Sequence, residues 1–362
     1  MRRVKDVVWV LALAGWLAWG TAGASTSVSG FVDASYAGKI DTKEETFGLD
    51  QVEIDVIRTV GEHVVLRADL EWVKAGDAGE DGEDAAEEGE SWDVAAEQGF
   101  LTYIPSFLPE LSFTLGKFNA PIGFEMLDPP DMYQYSHSLV FEHCLPTNLT
   151  GALFDVTLTP KLGVLAYVVN GWDKNHEHND VKTFGGRVGY SLGEMGSFGI
   201  SALGGYEGVD ETGARTNKTT VVDVDVTLTP IENLLIGGEV NLGTVDSGSD
   251  EVDDMTWTGF LVMGHYDFNK WLGLTGRFDM VDDPDAVIFE GYAEGDSPKP
   301  LEESRSSFTL APTFVLGEGM GALIEFRLDS STEDVFVDSD GKADDTEISV
   351  AFEMTYTFDE TF

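Results

Sequence analysis

Apolar and polar residues alternate along most of the chain. In one stretch, Leu66, Ala68 and Leu70 share one face, whereas Arg67 and Asp69 share the other. Because successive side chains of a β-strand point to opposite sides of the sheet, this period of two predicts a strand with one apolar and one polar face. Full charges of both signs in the middle of the polar face are typical of a wall that borders water.

Sixteen segments share this pattern, which predicts an all-β fold. Their centres lie near residues 31, 53, 67, 99, 113, 153, 166, 187, 201, 223, 237, 260, 276, 310, 325 and 354. Many of the segments are about ten residues long or longer, whereas the strands of globular proteins average about five or six. A soluble β-sandwich also alternates, but the strand length and the full charges of both signs on the polar face predict a transmembrane antiparallel β-barrel instead.

The connections between these segments alternate in length. After even-numbered strands they are short, as at residues 61–62 and 269–270. After odd-numbered strands they are long and acidic, as at residues 74–91 and 281–303. Bacterial barrels have tight turns on the periplasmic side and larger loops on the external side. With an even number of strands, both termini then lie on the periplasmic side.

The N-terminus has the layout of a secretory signal. Arg2, Arg3 and Lys5 precede a short apolar stretch that ends in small residues. We therefore expect residues 1–24 to be a signal peptide and residues 25–362 to form the mature barrel. The remaining sequence has no apolar run long enough for a membrane helix, so that a closed barrel is the way for it to satisfy its backbone groups in lipid.

The charge balance restricts the partners. The chain has 66 acidic and 21 basic residues, with a formal net charge of −45. Such a chain repels phosphates, which argues against nucleic acid as a partner, and it favours cations as permeating ions. Hydrophobic residues make up 42% of the chain, so it is not a disordered acidic polymer. We expect the charge to lie in loops and in a water-filled lumen.

Several distinct short motifs lie between residues 98 and 187. They are Gly116-Lys117-Phe118, Pro121, Gly123, Glu125, Tyr135 to Leu139, Asn170 to Asp173, Lys182-Thr183 and Gly185-Gly186-Arg187. With these motifs the chain resembles the β-barrel porin-2, OmpL-like family of outer-membrane porins. The resemblance implies a sixteen-stranded type of barrel and passive diffusion without a defined substrate. His137 stands where an arginine is common in the family.

One connection, residues 118–143, differs from the others. It contains prolines, is less acidic than the other long loops, and carries methionines and tyrosines that an exposed loop would not favour. It follows the fifth strand, where porin loops fold into the barrel, so we expect a constriction loop here. Its candidate lumen-facing residues are Glu125, Asp128, Asp131, Tyr133 and Tyr135.

Charged residues on the polar faces of the strands form the expected pore wall. They are Arg67, Asp69, Glu71, Arg187, Arg277, Asp279, Glu325 and Arg327. Wall arginines that faced the loop carboxylates would create a transverse field that selects solutes by charge. In the alternative interpretation, each arginine neutralises a carboxylate of the wall itself.

The acidic outer loops also permit two interpretations. Residues 76–90, 246–254 and 334–345 could bind Ca²⁺ or Mg²⁺ weakly, because hard cations prefer carboxylate oxygens. They could instead be solvated loops that attract cations diffusely, with divalent ions bridging them to lipopolysaccharide. We assign neither a specific metal-ligand set nor a cofactor. Cys144 cannot form an internal disulfide, and we expect it to be a small packed residue.

The end of the last strand resembles an assembly signal. Tyr356 and Phe358 share one face, and the chain stops at Phe362. Bacterial outer-membrane proteins present such a terminal phenylalanine to the barrel-assembly machinery. Aromatic residues near strand ends, such as Trp271 and Trp257, are expected in two girdles at the membrane interfaces.

Together these patterns predict a passive, cation-preferring pore for ions and small hydrophilic solutes in the bacterial outer membrane. The alternative is a structural or adhesive barrel with a plugged lumen and cation-binding acidic loops. The sequence contains no Gly-x-Ser-x-Gly elbow, His-Glu-x-x-His motif or phosphate loop, so we expect no enzymatic activity. The expected partners are outer-membrane lipid, lipopolysaccharide, the assembly machinery, small solutes and cations. The sequence leaves the oligomeric state open, with a homotrimer as one option.

Overall fold

The structure is a computed structural model that describes most of the chain. The described residues are 23–74, 92–177, 179–209, 215–246, 254–289 and 302–362. The expected signal peptide, apart from its last two residues, lies outside the described residues. The same holds for the acidic segments 76–90 and 247–253.

Sixteen strands make up the barrel. They are β1 (Ala24–Lys39), β2 (Glu44–Val60), β3 (Val64–Lys74), β4 (Trp92–Tyr103), β5 (Leu111–Asn119), β6 (Asn148–Thr159), β7 (Leu162–Val169), β8 (Thr183–Ser191), β9 (Gly196–Val209), β10 (Arg215–Ile231), β11 (Leu234–Asp246), β12 (Met255–Asn269), β13 (Leu272–Asp283), β14 (Glu303–Gly317), β15 (Met320–Ser331) and β16 (Thr346–Thr361). Each centre expected from the alternation lies inside the corresponding strand, so the predicted count is confirmed.

The strands form one closed antiparallel sheet. Each strand pairs with its neighbours in sequence, and β16 returns to pair with β1 from Thr361 opposite Ser27 to Ser349 opposite Lys39. Closure gives every strand two partners, and this is how a sheet satisfies its backbone groups in lipid. The predicted transmembrane antiparallel β-barrel is therefore confirmed. None of the helices among the described residues has the length and apolarity needed to cross a bilayer.

The two faces of the barrel differ as the alternation predicts. Phe326 and Leu328 of β15 are 50% and 41% exposed on the outer surface, whereas Glu325 beside them is 2% exposed and points into the lumen. In β13, Phe278 lies outside and Arg277 inside. The outer surface is therefore apolar, as contact with hydrocarbon requires, while the charged residues face the interior.

The connections alternate in length around the rim. Two-residue turns at 160–161, 232–233, 270–271 and 318–319 follow even-numbered strands. Long connections follow most odd-numbered strands, for example residues 120–147 after β5 and residues 332–345 after β15. The short connection 40–43 after β1 departs from this pattern. The predicted arrangement, with tight turns at one end and long loops at the other, is otherwise observed.

Two β-bulges turn extra side chains inward. In the β1–β2 pairing, Asp33 and Ala34 lie opposite Gln51 and Leu49, so that Asp50 has no partner residue. In the β3–β4 pairing, the register likewise passes over Glu97 between Ala96 and Gln98. A bulge breaks the alternation at one residue, and bulges often re-aim side chains at functional sites.

Candidate functional site

Residues 120–147, here called the inward loop, fold into the barrel. Their one α-helix, α1 (Leu139–Cys144), begins after Ser138, whose side-chain oxygen accepts a hydrogen bond from the backbone N–H of Phe141 at 3.1 Å. A serine at this position is a preferred helix N-cap because it satisfies a free backbone donor. The cap fixes where the helix starts and therefore which residues it presents to the wall.

One side of the inward loop packs on an apolar part of the lumen wall. Val140 and Cys144 of α1 are fully buried and belong to one cluster with Trp257, Leu261 and Val281 of strands β12 and β13. Trp257 was expected in an outer girdle, and this expectation was wrong, because its ring faces inward. Its indole N–H donates to the Asn241 side-chain oxygen at 3.0 Å.

Arg277 of β13 is the main polar anchor of the inward loop. Its guanidinium is buried and donates to Glu125 Oε1 at 2.6 Å, to the Ser136 carbonyl at 2.7 Å and to the His137 carbonyl at 3.0 Å. It also pairs with Asp279 of its own strand at 3.1 Å. Charge-assisted hydrogen bonds of this kind are stronger than neutral ones, so Arg277 joins the wall to the loop at several points.

Wall carboxylates accept hydrogen bonds from backbone N–H groups of the loop. Glu325 Oε2 accepts from Tyr135 at 2.9 Å and from Ser136 at 3.2 Å. Glu239 Oε2 accepts from Phe124 at 2.7 Å. A loop without sheet partners needs such acceptors for its buried backbone donors.

Two further wall residues, Asp279 and Arg327, contact the loop. Asp279 Oδ1 accepts from the Leu139 N–H at 2.7 Å, at the start of α1. Arg327 Nη1 donates to the His137 carbonyl at 2.8 Å and Arg327 Nε donates to Asp329 at 2.9 Å. Burial lowers the pKa of the His137 imidazole, and Arg327 is one of the positive charges that lower it further.

The other two predicted arginines pair within the wall. Arg67 donates to Asp69 at 2.7 Å. Arg187 forms an ion pair with Asp225 and donates to the Ser201 hydroxyl at 3.0 Å. The structure thus brings Arg277 and Arg327 together with the loop, whereas Arg67 and Arg187 neutralise wall carboxylates.

The remaining predicted loop residues lie at different depths. Asp128 is partly buried beside Asp69 and Glu97 of the wall, and burial together with these charges raises the pKa of Asp128 to about 7. Asp131 is exposed. The Tyr133 ring lies against the His265 ring, with centroids 4.4 Å apart.

Tyr135, the last of these residues, reaches the wall. Its hydroxyl lies 3.3 Å from the hydroxyl of Ser35 in β1. The predicted roles of the loop and wall residues in permeation are not tested by this geometry and stay predictions.

A cavity of about 440 Å³ remains between the inward loop and strands β1 to β5. Five carboxylates line it, and among its described lining residues Lys117 is the one lysine or arginine. The carboxylates belong to Asp33, Asp50, Glu71, Glu97 and Asp173. The space on this side of the loop is therefore acidic and is here called the acidic chamber.

Carboxylates on strands β2 to β4 also come close enough to share a cation. Among the described residues, oxygens of Glu53, Glu71 and Glu97 lie within 4.8 Å of one another. Oxygens of Glu53, Asp55 and Asp69 do the same. Of these residues, Glu53, Asp55 and Glu97 were not among the predicted pore-wall residues. The alternation places Glu53 and Asp55 on the polar face of β2, whereas a bulge directs Glu97 inward.

The terminal aromatic residues lie on the outer surface. Tyr356 is 45% exposed and Phe362 is 71% exposed. The backbone N–H of Phe362 donates to the carbonyl of Thr26 in β1 at 2.8 Å, so the last residue is held at the barrel seam. Phe358 is partly exposed and lies opposite Gly30 of β1 across the same seam. The predicted role of these residues in assembly stays a prediction.

Solved structures with the same architecture are outer-membrane barrels. The outer-membrane channel DcaP of Acinetobacter baumannii aligns with a TM-score of 0.64 and 12% identity over 94% of this chain and 99% of that chain. OmpT of Vibrio cholerae, in its trimer form, aligns with a TM-score of 0.60 and 13% identity over 93% and 100%. An anion-selective porin from Comamonas acidovorans aligns with a TM-score of 0.60 and 12% identity over 92% and 100%. Identities this low show a shared fold.

A match to a family model, rather than to an individual protein, identifies the family of this chain. Among curated protein sequences, none matches the chain significantly. A family model described as beta-barrel porin-2, OmpL-like, matches residues 13–358, which is nearly the whole chain. With its closed sixteen-stranded barrel and its apolar outer surface, the chain belongs to the beta-barrel porin-2, OmpL-like family of the bacterial outer membrane.

Proposed function

We propose that the barrel lets ions and small hydrophilic solutes diffuse passively across the outer membrane, with a preference for cations. The observation that carries this proposal is the acidic chamber, whose described lining includes five carboxylates and one lysine, Lys117. A narrow water-filled space lined by one sign of charge concentrates ions of the opposite sign. The net charge of −45 acts in the same direction.

The inward loop would set the width of this passage. It is attached through the apolar contacts of α1 and through Arg277, Arg327 and Glu325, so its position is defined by the wall. A loop fixed in this way leaves space on two sides: the acidic chamber beside strands β1 to β5, and a cavity of about 370 Å³ beside Thr227, Leu235 and Met263. We propose that the loop is the constriction of the pore, and that the acidic chamber beside it selects the ions.

Planar-bilayer recording with a salt gradient tests the function. We expect steady current steps and a reversal potential whose sign shows preference for the cation. The double variant Asp50→Asn with Glu71→Gln removes two chamber charges and should weaken the preference. Asp340→Asn, on an exposed outer loop, is the matched control and should leave it unchanged. A reversal potential that favours chloride would contradict the proposed selectivity.

The same recording separates the pore from the alternative function. A structural or adhesive barrel with a plugged lumen would insert without conducting, so silence of inserted protein would favour that alternative. Insertion can be checked independently by co-sedimentation of the protein with the vesicles. Current steps in the inserted protein would reject the plugged lumen.

We also propose that the protein assembles as a homotrimer. One structure of similar fold is described as a trimer form, and that statement concerns the Vibrio cholerae protein. Analytical ultracentrifugation of the detergent-solubilised protein tests the assembly of this chain. Particles with three chains are expected, and particles with one chain would contradict the proposal.

A further inference from the structure

Three carboxylates on the lumen wall, Glu53, Glu71 and Glu97, form what is here called the carboxylate triad. Their oxygens lie within 4.8 Å of one another. Glu53 and Glu71 stand directly opposite each other in the β2–β3 pairing, where like charges destabilise a sheet. Because the bulge in β4 turns Glu97 toward the same point, three negative charges meet there.

Glu97 is the most unusual member of the triad. It is 2% exposed, and neither of its carboxylate oxygens has a hydrogen-bond partner among the described residues. Glu53 is 1% exposed, and its Oε1 also has no partner in the described part of the chain. Its Oε2 accepts from the Gln51 amide at 3.2 Å. Ionised carboxylates removed from water without donors are strongly unfavourable, so the triad must either take up protons or bind a positive partner.

The nearest basic residues are engaged elsewhere. Arg67 pairs with Asp69 at 2.7 Å. Lys117 Nζ donates to the carbonyl of Ala96 at 3.0 Å. Asp69 is further compensated by the Gln98 amide, which donates to it at 2.6 Å. Within the triad, the Gln51 amide donates to Glu53 at 3.2 Å and to Glu71 at 3.3 Å, whereas Glu97 has no donor among the described residues.

We propose that the carboxylate triad binds one calcium ion. Calcium binds carboxylate oxygens at about 2.3–2.6 Å, so two oxygens on opposite sides of one ion are about 4.8 Å apart. The triad oxygens lie within this separation of one another. Magnesium requires shorter distances and a near-ideal octahedron, which three carboxylates on a sheet fit less well.

The calcium ion would also connect the inward loop to the wall. Asp128 of the loop faces Glu97, and its Oδ1 has no hydrogen-bond partner among the described residues. It would lie next to the ion as a fourth carboxylate. Strands β2 to β4 would then hold the loop at a second place, separate from Arg277 on β13. The site goes beyond passive diffusion, because it would exist whether or not the barrel conducts.

Calcium titration by calorimetry tests the site in the detergent-solubilised, chelator-treated barrel. We expect one saturable site with a dissociation constant on the order of 10⁻⁴ M or tighter. Glu97→Gln and Glu53→Gln should each weaken binding about tenfold or more, since fewer charged ligands lower calcium affinity. The control Asp340→Asn removes a carboxylate that pairs with Lys342 on an exposed loop, and it should bind calcium as the wild type does.

Thermal unfolding distinguishes loss of the site from loss of the fold. Without calcium, Glu97→Gln should melt no lower than the wild type, because it removes a repulsion within the triad. Added calcium should raise the melting temperature of the wild type but not that of Glu97→Gln, since a ligand stabilises the state that binds it. The proposal is overturned if the wild type lacks a saturable calcium site, if Glu97→Gln binds as tightly, or if only Asp340→Asn loses binding.

Discussion

Replacing Arg277 with glutamine should release the inward loop from the wall. Arg277 donates five hydrogen bonds: to Asp279, to Glu125, to the carbonyl and hydroxyl of Ser136, and to the carbonyl of His137. A glutamine amide has two N–H groups, so most of these acceptors would lose their donor. Two of them are carboxylates, which makes the loss larger than for neutral groups.

The size of this effect follows from the burial of Arg277, which is 1% exposed. Breaking one side of a buried ion pair costs about 3–5 kcal/mol. Water entering the lumen would replace some donors, so about 3 kcal/mol is the better figure for the attached loop. Since about 1.4 kcal/mol corresponds to a factor of ten, the ratio of attached to detached loop should fall about a hundredfold.

Single-channel recording measures this release, because a detached loop changes the width of the pore. Arg277→Gln should show a larger and more variable conductance than the wild type. Arg187→Gln is the matched control: it also removes one lumen arginine, but Arg187 pairs with Asp225 and Ser201 of the wall. If the two variants gave the same conductance, charge alone would explain the change and the anchoring role of Arg277 would be refuted.

Three other predictions concern the inward loop. Deleting Pro121 to Ser136 should raise the single-channel conductance, and an unchanged conductance would remove the loop from the pore. The Cys144 thiol should resist alkylation in the folded barrel and react after unfolding, because it is fully buried and burial raises its pKa well above the usual range; rapid labelling of the folded protein would contradict this. Burial, together with Arg277 and Arg327, lowers the pKa of His137 in the folded barrel, so its neutral form contributes stability that is complete above pH of about 6.5 and is lost as the pH falls further. The drop in melting temperature on acidification should therefore be smaller in His137→Gln than in the wild type, and equal drops would refute it.

The positions of the strands, and the side of the barrel to which each side chain points, could be predicted from the sequence. Both follow from the two-residue alternation of apolar and polar residues. In β15, for example, Glu325 and Arg327 alternate with Phe326 and Leu328, and the structure separates them into lumen and outer surface. Closure into a barrel was expected because the mature sequence has no apolar run long enough for a membrane helix, and a closed sheet satisfies its backbone groups in lipid. The loop after β5 was identified from its composition, which differs from that of the other long connections.

The apolar wall surface on which the inward loop packs was not predicted, although the sequence carries a signal for it. Strand β12 has apolar residues on both faces: Phe260 and Val262 point outward, while Trp257, Leu261 and Met263 are buried inside. A strand whose inner face bordered water would carry polar residues on that face, so apolar residues there indicate a packing partner inside the lumen. Assigning Trp257 to a girdle treated its position near the strand end as decisive, whereas its parity places it inside.

The bulge residues could not have been predicted in the same way. Asp50 and Glu97 precede Gln51 and Gln98, which also face the lumen, so strict alternation would have assigned one residue of each pair to lipid. A carboxylate in lipid is strongly unfavourable, and an acidic residue at an expected outward position therefore indicates a bulge. The pattern of charge violations, rather than the alternation itself, contains this information.

The two sides of the inward loop explain why the bulges matter. Along strands β10 to β13, α1 and its apolar neighbours pack on the wall beside a cavity of about 370 Å³, and Arg277 compensates the nearby carboxylates Glu125 and Asp279. On strands β1 to β5 an acidic cavity remains, and the two bulges each add a carboxylate to its lining. An ion permeating on this side of the loop would meet more acidic than basic residues. Ion selectivity would then depend on chamber carboxylates such as Asp50 more than on arginines facing the loop, because those arginines already hold the loop in place.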